Sequence, residues 1–376
     1  MQLQLHNFRC FTNLEVNIPN HNFIILDDNG SGKTTILSAL YSLFCGEAFG
    51  QAKFLHYLQT GQEYFGISCE DSDFFLNGKI SPSGRLVTKW NKHFDTNYYL
   101  SKHFNQESSR SAKYKFLTYQ PNDNLWLFQS RSAKLAQLDQ VIQQSFGPLI
   151  GLCKQLDKLT KHKLQLLKHT QQTGQVDSSL INFISDQIMT LSLQIWSIRL
   201  SFYSLWQKKL VNFSTLIQNP IINWQINLDL SNFNGQKLKL QLPSQNMTLE
   251  ETKTWLNTSL HLDKIDYDKL FQKELLLQKV LFGAQRDDFT ILANSQPVEN
   301  RLSRGEMRLF VLFSRQMASC ELSNIWLLDD LFNELDDKRE KIMLEKILFH
   351  SAWIVATGTR SGLPQLKSYS VKEIRA

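Results

Sequence analysis

A short apolar run, a glycine-containing turn and a helical pattern follow one another near the start of the chain, and this order restricts the fold most. Phe23, Ile24, Ile25 and Leu26 are apolar without interruption, which is typical of a strand buried on both faces. A turn with two glycines follows, and apolar residues then recur at helical spacing over residues 36–44. Strands of this kind occur in parallel sheets covered by helices, so the segment predicts an α/β fold.

The composition is that of a globular protein. Of the 376 residues, 42% are hydrophobic and 20% are charged, which excludes a disordered or fibrous chain. The 16 glycines and 8 prolines are about half the usual share, so we expect long helices. No apolar run reaches the roughly 18 residues of a membrane span, and the first residues lack the pattern of a signal peptide. The sequence therefore predicts a cytoplasmic protein.

The cysteines and the net charge set weaker bounds. The 5 cysteines are scattered and contain no Cys-x-x-Cys pair, which argues against a disulfide scaffold and against a zinc ribbon. We expect reduced thiols, most of them buried. The 41 basic and 35 acidic side chains give a net charge of +6, which permits a polyanionic partner without requiring one.

Three stretches of different character predict the domain organisation. Residues 1–130 carry mostly strand patterns, with Asn77-Gly78 as a hairpin signal. Residues 131–220 are helical, and apolar residues between 181 and 205 recur in steps of 3 and 4, which predicts a helical hairpin with Gly174 in its turn. Residues 221–376 return to strands and helices. The pattern predicts one α/β core made from both ends of the chain, with a helical lobe inserted between them.

The turn after the first buried strand has the composition of a phosphate-binding loop. Glycines let backbone N–H groups approach an anion, the helix N-terminus adds partial positive charge, Lys33 reaches the β- and γ-phosphates, and the Thr34 hydroxyl ligates Mg²⁺. The usual pattern G-x-x-x-x-G-K-[ST] has its first glycine where this chain has Asp27. Carboxylates beside a triphosphate are repulsive unless they are screened. The candidate nucleotide contacts in this loop are Asp27, Asp28, Asn29, Gly30, Ser31, Gly32, Lys33, Thr34 and Thr35.

A matching acidic motif lies near the other end of the chain, where apolar residues 325–328 are followed by Asp329 and Asp330. Asp329 is placed to hold Mg²⁺ directly or through water, and Asp330 to orient or deprotonate an attacking water, so both are candidate catalytic residues. Acids at the end of a buried strand cost desolvation energy unless they are paired, which disfavours the alternative of an ordinary strand-to-loop boundary.

Residues 302–306 predict a capped helix start. Ser303 is a typical N-cap, and Glu306 is the third-residue partner that completes a capping box. A helix start with Ser and Gly is also an anion site. Ser303, Gly305 and Glu306 are therefore candidate nucleotide contacts in addition to their capping role.

Six segments of the chain carry recognisable motifs in a fixed order: an N-F-R strand at residues 5–11, Walker A at 29–34, a weakened P-x-D-L at 119–125, R-D-D at 286–289, a signature at 303–308, and Walker B with a D-loop at 327–336. These motifs resemble those of the ABC-type ATPases of DNA maintenance, and among them the RecF family. Asn333 departs from the family's D-loop Ser, and Gln285 stands in place of the His of the family's H-R-D-D-L stretch.

The resemblance implies a fold, ligands and partners. It implies an ABC-type ATPase head in which Walker A and Walker B hold ATP and Mg²⁺, while the signature of a second copy completes the site. ATP then holds two copies together as a dimer. This dimer clamps DNA at gaps or single-strand/duplex junctions and hydrolyses ATP slowly. Family members act with RecR and RecO to load RecA, which connects them to replication, repair and the SOS response.

Three departures from the family pattern make ATP binding a firmer expectation than hydrolysis. They are Asp27, Asn333, and the absence of a His after the last apolar strand, where residues 357–360 read Thr-Gly-Thr-Arg. A non-hydrolysing RecF-like scaffold and another ABC-type ATPase of the SMC kind remain as alternatives. A transporter subunit is disfavoured because such subunits carry the signature much closer to the phosphate-binding loop.

Two groups of basic residues are candidate DNA contacts. Lys89 and Lys92 lie in the strand-rich region, and Lys154, Lys158 and Lys161 share one face of the helix before the Gly174 turn. Such a stripe is commonly only a solvated surface. Beside the nucleotide motifs, contact with DNA phosphates is the favoured interpretation, and binding should then weaken steeply with salt.

Overall fold

The structure is a computed structural model, and its described residues fall into two compact units. The first contains Met1–Asp123 and Glu321–Ala376, and the second contains Asn124–Cys320. This division differs from the predicted one, because residues 221–320 group with the helices and not with the C-terminal strands. The described residues are 1–50, 52–69, 75–91, 114–146, 149–175, 177–218, 222–231, 237–242, 249–260, 266–317, 323–348, 351–359 and 366–375.

The described elements alternate between strand-rich and helical segments along the chain. The strands are β1 (Gln2–Phe8), β2 (Phe11–Asn17), β3 (Phe23–Leu26), β4 (Tyr64–Cys69), β5 (Phe75–Ile80), β6 (Leu86–Trp90), β7 (Tyr114–Tyr119), β8 (Trp224–Ser231), β9 (Lys237–Gln241), β10 (Asp288–Ala293), β11 (Gln296–Pro297), β12 (Ser323–Leu328), β13 (Ser351–Gly358) and β14 (Lys367–Tyr369). The α-helices are α1 (Lys33–Cys45), α2 (Arg131–Phe146), α3 (Leu149–Thr173), α4 (Ser178–Leu216), α5 (Leu249–Leu260), α6 (Tyr267–Leu277), α7 (Val298–Arg301), α8 (Arg304–Met317), α9 (Asp337–Ile342) and α10 (Val371–Ile374). Short 3₁₀ turns lie at Phe54–Tyr57, Pro121–Phe128, Ala284–Arg286 and Leu331–Glu334, and a π-turn at Met343–Ile347 continues α9.

The first unit contains a parallel sheet made from both ends of the chain, in the order β14-β3-β13-β12-β7. All four neighbouring pairs are parallel, with Val355 opposite Phe23 and Leu328 opposite Ala356. Strands β3, β12 and β13 are buried along nearly their whole length, as their continuous apolar sequences predict. Their carboxyl ends therefore meet at one edge, which is where the candidate nucleotide residues follow β3 and β12.

An antiparallel sheet in the order β2-β1-β4-β5-β6 completes the first unit. Its strands alternate buried and exposed residues, because one face packs on a core shared with α1 and the parallel sheet. The sheet contributes Leu3, Leu5, Phe65 and Ile67 to that core, and α1 contributes Leu40 and Leu43. Helix α1 therefore packs against this sheet.

The hairpin predicted at Asn77-Gly78 is wrong. Both residues lie inside β5, and the chain turns instead at residues 81–84, where Ser81 Oγ accepts a hydrogen bond from the Arg85 backbone N–H at 3.2 Å. The glycine serves close packing: a Cβ at Gly78 would lie 2.2 Å from the Phe65 ring. The dipeptide therefore reflects a tight cross-strand contact and not a turn.

The second unit is organised around the 39-residue helix α4. Helices α3 and α4 form the predicted hairpin, and Gly174 in the turn has a left-handed backbone with φ of 70°. Most of the predicted apolar seam of α4 is buried, from Ile181 to Phe202. A four-stranded antiparallel sheet, β11-β10-β8-β9, belongs to the same unit.

A cluster of buried charges surrounds α4. Arg199 donates hydrogen bonds to both oxygens of Asp139 at 2.9 and 2.7 Å and to Asp287 Oδ2 at 2.7 Å. The Trp196 indole donates to the same Asp287 oxygen at 2.8 Å, and Asp288 pairs with Lys134 at 2.6 Å. Burial opposes the charge of Arg199, but the two carboxylates outweigh it and raise its pKa. The R-D-D segment is thus an internal connection of this unit.

A second buried ion pair joins α3 to α6. Lys163 and Glu274 lie 2.5 Å apart with side chains 1% and 0% exposed, and Glu274 also accepts the Leu281 backbone N–H at 2.7 Å. The Lys163 Nζ lies 4.7 Å from the Phe282 ring centroid. No helix in the described part of the chain has the length and apolar character needed to cross a membrane.

Candidate nucleotide-binding site

The loop between β3 and α1 has the backbone of a phosphate-binding turn. Gly30 and Gly32 have φ angles of 87° and 99°, which side-chain-bearing residues rarely adopt. A Cβ at Gly32 would lie 2.2 Å from the Phe11 ring, whereas a Cβ at Gly30 would meet nothing within 4 Å. Gly32 is therefore required by packing, and Gly30 borders open space in which an anion could lie.

Lys33 is buried at the first position of α1 and closes the loop. Its Nζ donates to the carbonyl oxygens of Asp27 at 2.6 Å and Asp28 at 2.8 Å. Only 6% of the residue is exposed. The ammonium group thus lies inside the loop, where it donates to backbone carbonyls. A phosphate bound in the loop could accept these N–H groups in their place.

A hydrogen bond joins the two ends of the chain at this site. The Thr34 hydroxyl donates to Asp329 Oδ1 at 2.8 Å, and the Thr357 hydroxyl donates to the same oxygen at 2.8 Å. Thr357 Oγ1 in turn accepts the backbone N–H of Asp330 at 3.1 Å. The structure therefore brings Thr34 and Asp329 together, as the two motifs predicted.

Asp329 is a buried carboxylate, with only 6% of the residue exposed. Burial raises its pKa, and the neighbouring Asp330 acts in the same direction, while the Thr34 and Thr357 hydroxyls and the more distant Arg9 oppose the rise. In the described part of the chain no cation forms an ion pair with it. Such a group favours a bound cation, which would offset its desolvation.

Asp330 follows in a left-handed conformation, with φ of 48° and ψ of 30°, and precedes the short turn Leu331–Glu334. A residue with a Cβ adopts this conformation at a cost, which a backbone hydrogen bond helps to offset. The side chain is half-buried, consistent with its candidate role beside a bound nucleotide.

Asp27 does not disrupt the loop. It is absent from the described residues with positive φ, so the substitution of glycine here needs no left-handed backbone. Its two carboxylate oxygens accept the backbone N–H groups of Asp28 at 2.8 Å and Val371 at 3.1 Å. These two hydrogen bonds, followed by Lys33 and Lys372, lower its pKa despite partial desolvation. The charge that would repel a triphosphate is therefore held by backbone donors.

The donor set fits a magnesium–nucleotide complex. The Ser31 hydroxyl is buried in the loop without a hydrogen-bond partner, as expected where a ligand supplies one. No group of three or more His, Cys, Asp or Glu side chains among the described residues could hold a metal alone. Mg²⁺ does not need one, because it takes one or two protein ligands together with phosphate oxygens and water. Thr34 and Asp329 supply such a pair.

The remaining candidate residues of the loop differ in exposure. Asp28, Asn29 and Gly30 are exposed, and Thr35 is buried in α1 with its Oγ1 3.6 Å from Cys10 Sγ. Thr35 thus contacts the β1–β2 turn and not the open side of the loop.

The signature residues form the predicted capping box at the start of α8. Glu306 Oε2 accepts hydrogen bonds from the Ser303 backbone N–H at 2.8 Å and from its hydroxyl at 2.6 Å, while Ser303 Oγ accepts the Glu306 N–H at 3.3 Å. Ser303 is exposed and Gly305 is half-buried, both in the second unit. Their predicted contact with a nucleotide stays a prediction.

The basic residues proposed for DNA lie mostly on the surface. Lys154, Lys158 and Lys161 are exposed on α3, and Lys161 pairs with Asp157 at 2.6 Å. Lys89 is exposed on β6, whereas Lys92 lies outside the described residues. Not every lysine in this part of the chain is on the surface, because Lys115 on β7 is buried.

Two residues that interact with Asp329 are not among the candidate site residues, although Arg9 belongs to the N-F-R segment. Thr357 has one signal in the sequence, its place in residues 357–360 where a His is absent, although it lies at the carboxyl end of β13, on the same sheet edge as the ends of β3 and β12. Arg9 has a left-handed backbone, with φ of 51°, and its guanidinium lies 4.9 Å from the Tyr57 ring centroid. The useful signal for Thr357 is a hydroxyl residue at the carboxyl end of the strand beside Asp329.

Comparisons with known proteins support the resemblance. No model of a protein family matches the chain. A curated "DNA replication and repair protein RecF" of Staphylococcus epidermidis is 24% identical over 372 residues, covering 96% of this chain and 93% of the relative. The protein of the same name from Bacillus velezensis is 23% identical over 374 residues, with the same coverage.

Solved structures agree in fold. The structure titled "recombination mediator protein RecF-ATP in RecFOR pathway" has a TM-score of 0.69 at 20% identity, and the match covers 96% of this chain and 92% of that one. Its counterpart titled RecF-ATPrS also has a TM-score of 0.69. The predicted α/β fold of an ABC-type ATPase head, made from both ends of the chain, is confirmed. The resemblance is also confirmed: over almost its whole length, this chain is similar to proteins named RecF, at 23–24% identity.

Proposed function

We propose that this chain is an ATP-binding protein with a RecF-like role in DNA repair and replication. One observation carries the proposal: Thr34 of the phosphate-binding loop donates to Asp329, which lies 295 residues away at the end of β12. The names of its relatives and the ATP-bound form of a similar fold support the same role.

ATP would lie against the loop, and each residue of the site would have a different role. Gly30 leaves space for phosphate, Lys33 and the unpartnered Ser31 hydroxyl offer donors, and Thr34 and Asp329 hold Mg²⁺. When bound, Mg²⁺ neutralises charge on the phosphates. Asp330 would accept a proton from, or orient, a water near the γ-phosphate. The proposal includes at most slow hydrolysis, and a non-hydrolysing scaffold is the alternative.

The exposed Ser303 and half-buried Gly305 would complete the nucleotide site of a second copy, so that ATP stabilises a homodimer. Their position at the N-terminus of a 14-residue helix suits an anion, because the first-turn N–H groups and the helix dipole both favour negative charge. The capping box then orders this helix start before the partner binds.

DNA is the proposed partner, with gapped DNA or a single-strand/duplex junction as the preferred form. The exposed lysines of α3, together with Lys89 and Lys92, would contact its phosphates. Family resemblance adds RecO- and RecR-type proteins, RecA loading, a part in the SOS response and a cytoplasmic location to the proposal. An SMC-like ATPase of different biology is the remaining candidate.

The first experiment is sedimentation of the wild-type chain with and without ATP and Mg²⁺. We expect ATP-dependent self-association that Lys33→Ala abolishes, because the buried ammonium is the main cation of the loop. Lys79→Ala, which removes an exposed lysine of the same unit, is the control and should behave as wild type. A wild-type sedimentation coefficient unchanged by Mg²⁺–ATP would contradict the dimer.

A gel-shift assay tests the DNA role with gapped and blunt duplexes. We expect ATP to strengthen binding to gapped DNA, with Lys33→Ala losing this effect and the affinity falling steeply with salt. Binding that ignores nucleotide would favour the scaffold alternative. Binding that barely changes between low and moderate salt would remove the lysines from the proposal.

A further inference from the structure

The nucleotide site contains a buried hydroxyl to which no role has been given. Thr357 is 0% exposed and lies at the carboxyl end of β13. Its neighbour in the sheet, β12, ends at Leu328, which is paired with Ala356. The parallel register therefore places Thr357 beside the Asp329–Asp330 pair and not elsewhere along the strand.

This hydroxyl bonds to both acidic residues at once. Its hydrogen goes to Asp329 Oδ1 at 2.8 Å, and its oxygen accepts the backbone N–H of Asp330 at 3.1 Å. A threonine hydroxyl has one hydrogen and two lone pairs, so the two bonds use it as donor and acceptor without conflict. One side chain thus fixes the carboxylate of the first acid and the backbone of the second.

The effect on Asp329 concerns which oxygen remains for a metal. Thr34 and Thr357 both donate to Oδ1. Among the described residues, none donates a hydrogen bond to Oδ2, which leaves that oxygen for a cation. Two donors on one oxygen also prevent the carboxylate from rotating freely, which lowers the cost of organising it when a ligand binds.

The effect on Asp330 concerns a strained backbone. Asp330 has a left-handed conformation, which a residue with a Cβ adopts less readily than glycine does. The hydrogen bond from its N–H to Thr357 stabilises that conformation, and the conformation determines where the Asp330 side chain points. Loss of the hydroxyl would therefore disturb both acids, although only one of them contacts it through its side chain.

We propose that Thr357 is a positioning residue that orients Asp329 toward Mg²⁺ and fixes the Asp330 backbone. The inference rests on the proposed function, since it assigns a task within the same nucleotide site. It differs from a general structural role because its effect depends on metal: ATP held without Mg²⁺ relies on the loop and Lys33, and among the described residues neither forms a hydrogen bond with the Thr357 hydroxyl, whose bonds go to Asp329 and Asp330.

The experiment measures binding of a fluorescent ATP analogue in Mg²⁺ and in EDTA. Removing a residue that orients a metal ligand typically weakens metal binding about 10- to 100-fold. We expect Thr357→Val to weaken binding by at least tenfold in Mg²⁺ and to leave binding in EDTA within about twofold of wild type. Thr357→Ser, which keeps the hydroxyl, should restore Mg²⁺-dependent binding.

A matched control removes a different buried hydroxyl from the same unit. Ser42 is 0% exposed and its Oγ donates to the Tyr57 hydroxyl at 3.3 Å, away from the acids. Ser42→Ala should leave the ratio of Mg²⁺ to EDTA affinities unchanged. Thr357→Ala provides a second removal variant that introduces no methyl group beside the carboxylate, should the valine variant fold poorly.

Two outcomes overturn the inference and are distinct from failure of the proposed function. Wild-type affinity ratios in both Thr357→Val and Thr357→Ala would show that the hydroxyl does not orient the metal ligand. Equal losses in Mg²⁺ and EDTA, matched by Ser42→Ala, would assign Thr357 a role in stability only. If the wild-type chain itself binds no ATP analogue in either condition, the proposed function falls and this inference falls with it.

Discussion

Two pairs of adjacent aspartates flank strands, Asp287-Asp288 at the start of β10 and Asp329-Asp330 after the end of β12, and their surroundings differ. Asp287 and Asp288 in the second unit each face a cation, Arg199 or Lys134, at 2.7 and 2.6 Å. In the first unit, the described donors to the buried Asp329 side chain are two hydroxyl groups. Each acid of the first pair has a cation as its partner, whereas the hydrogen-bond donors of Asp329 among the described residues are neutral and the cation that opposes the rise in its pKa is the more distant Arg9.

The difference separates structural charge from charge kept for a ligand. A buried ion pair costs much to break, and its charges are already neutralised within the chain, although Asp287 Oδ1 makes no hydrogen bond among the described residues. A buried carboxylate with only hydroxyl donors, beside an unpartnered Ser31 hydroxyl and an open space at Gly30, is incomplete without a ligand. Acidic motifs that look alike in the sequence thus have different tasks.

The largest expected effect comes from breaking the ion-paired cluster of Arg199. Arg199→Met leaves Asp139 and Asp287 buried without their cation, and we expect the free energy of unfolding to fall by about 3–5 kcal/mol. Denaturant unfolding of the second unit measures this loss. The control is Lys269→Met, which removes an exposed partner of Asp266 and should cost at most about 1 kcal/mol. Equal effects of the two substitutions would contradict a structural role for the cluster.

Glycine substitutions test the two sides of the phosphate-binding loop. Gly32→Ala combines an unfavourable φ with a clash against Phe11, and we expect it to cost about 2–4 kcal/mol of stability. Gly30→Ala has the same kind of φ and no clash, so it should cost only about 1–2 kcal/mol. Because its methyl group would enter the space left for phosphate, it should still weaken ATP binding. Thermal unfolding and nucleotide titration separate the two effects, and normal ATP affinity of Gly30→Ala would show that this space is not the phosphate site.

Neutralising the Asp329 carboxylate should separate the effect on Mg²⁺–ATP affinity from the effect on stability. Asp329→Asn keeps an oxygen that can accept both hydroxyls but removes the charge needed by Mg²⁺. We expect Mg²⁺–ATP affinity to fall by more than about tenfold, which corresponds to about 1.4 kcal/mol. Unfolding without nucleotide should be unchanged or slightly harder, because the burial that raises the pKa of Asp329 penalises its charged form. A strong loss of stability without nucleotide would place Asp329 with the structural acids.

The smallest effect concerns pH and Asp27. Backbone hydrogen bonds lower the pKa of Asp27 in the folded chain, so its contribution to stability is present above the ordinary Asp pKa of about 4 and is lost as the pH falls through the lowered value. In Asp27→Asn, stability should therefore fall slightly less steeply as the pH is lowered through the acid range. At higher pH, the variant should lose only the small contribution that the charged Asp27 makes to stability. Unfolding curves recorded from about pH 2 to about pH 7 measure this effect, because the range brackets the ordinary Asp pKa of about 4. An unchanged acid profile would show that Val371 and Asp28 do not hold the charge.

Much of the site could be predicted because its chemistry is local in the sequence. The glycines, Lys33 and Thr34 form a contiguous loop, and the acids follow an apolar strand, so each half was identified from its own pattern. Thr357 could not be assigned in this way, because a single hydroxyl residue near the end of a strand has no local signature. Asn77-Gly78 misled the prediction for the converse reason: a turn signal was produced by close packing against Phe65.

By itself, the sequence determined the α/β class, the helical hairpin and the two halves of the nucleotide site, since hydrophobic periodicity and loop chemistry act over a few residues. Tertiary structure decided which acids are paired and which remain for a ligand. That distinction depends on cations brought from distant segments, as Arg199 is to Asp139 and Asp287. It also decided that Thr34, Asp329 and Thr357 meet, because only the register of the parallel sheet aligns the ends of β3, β12 and β13.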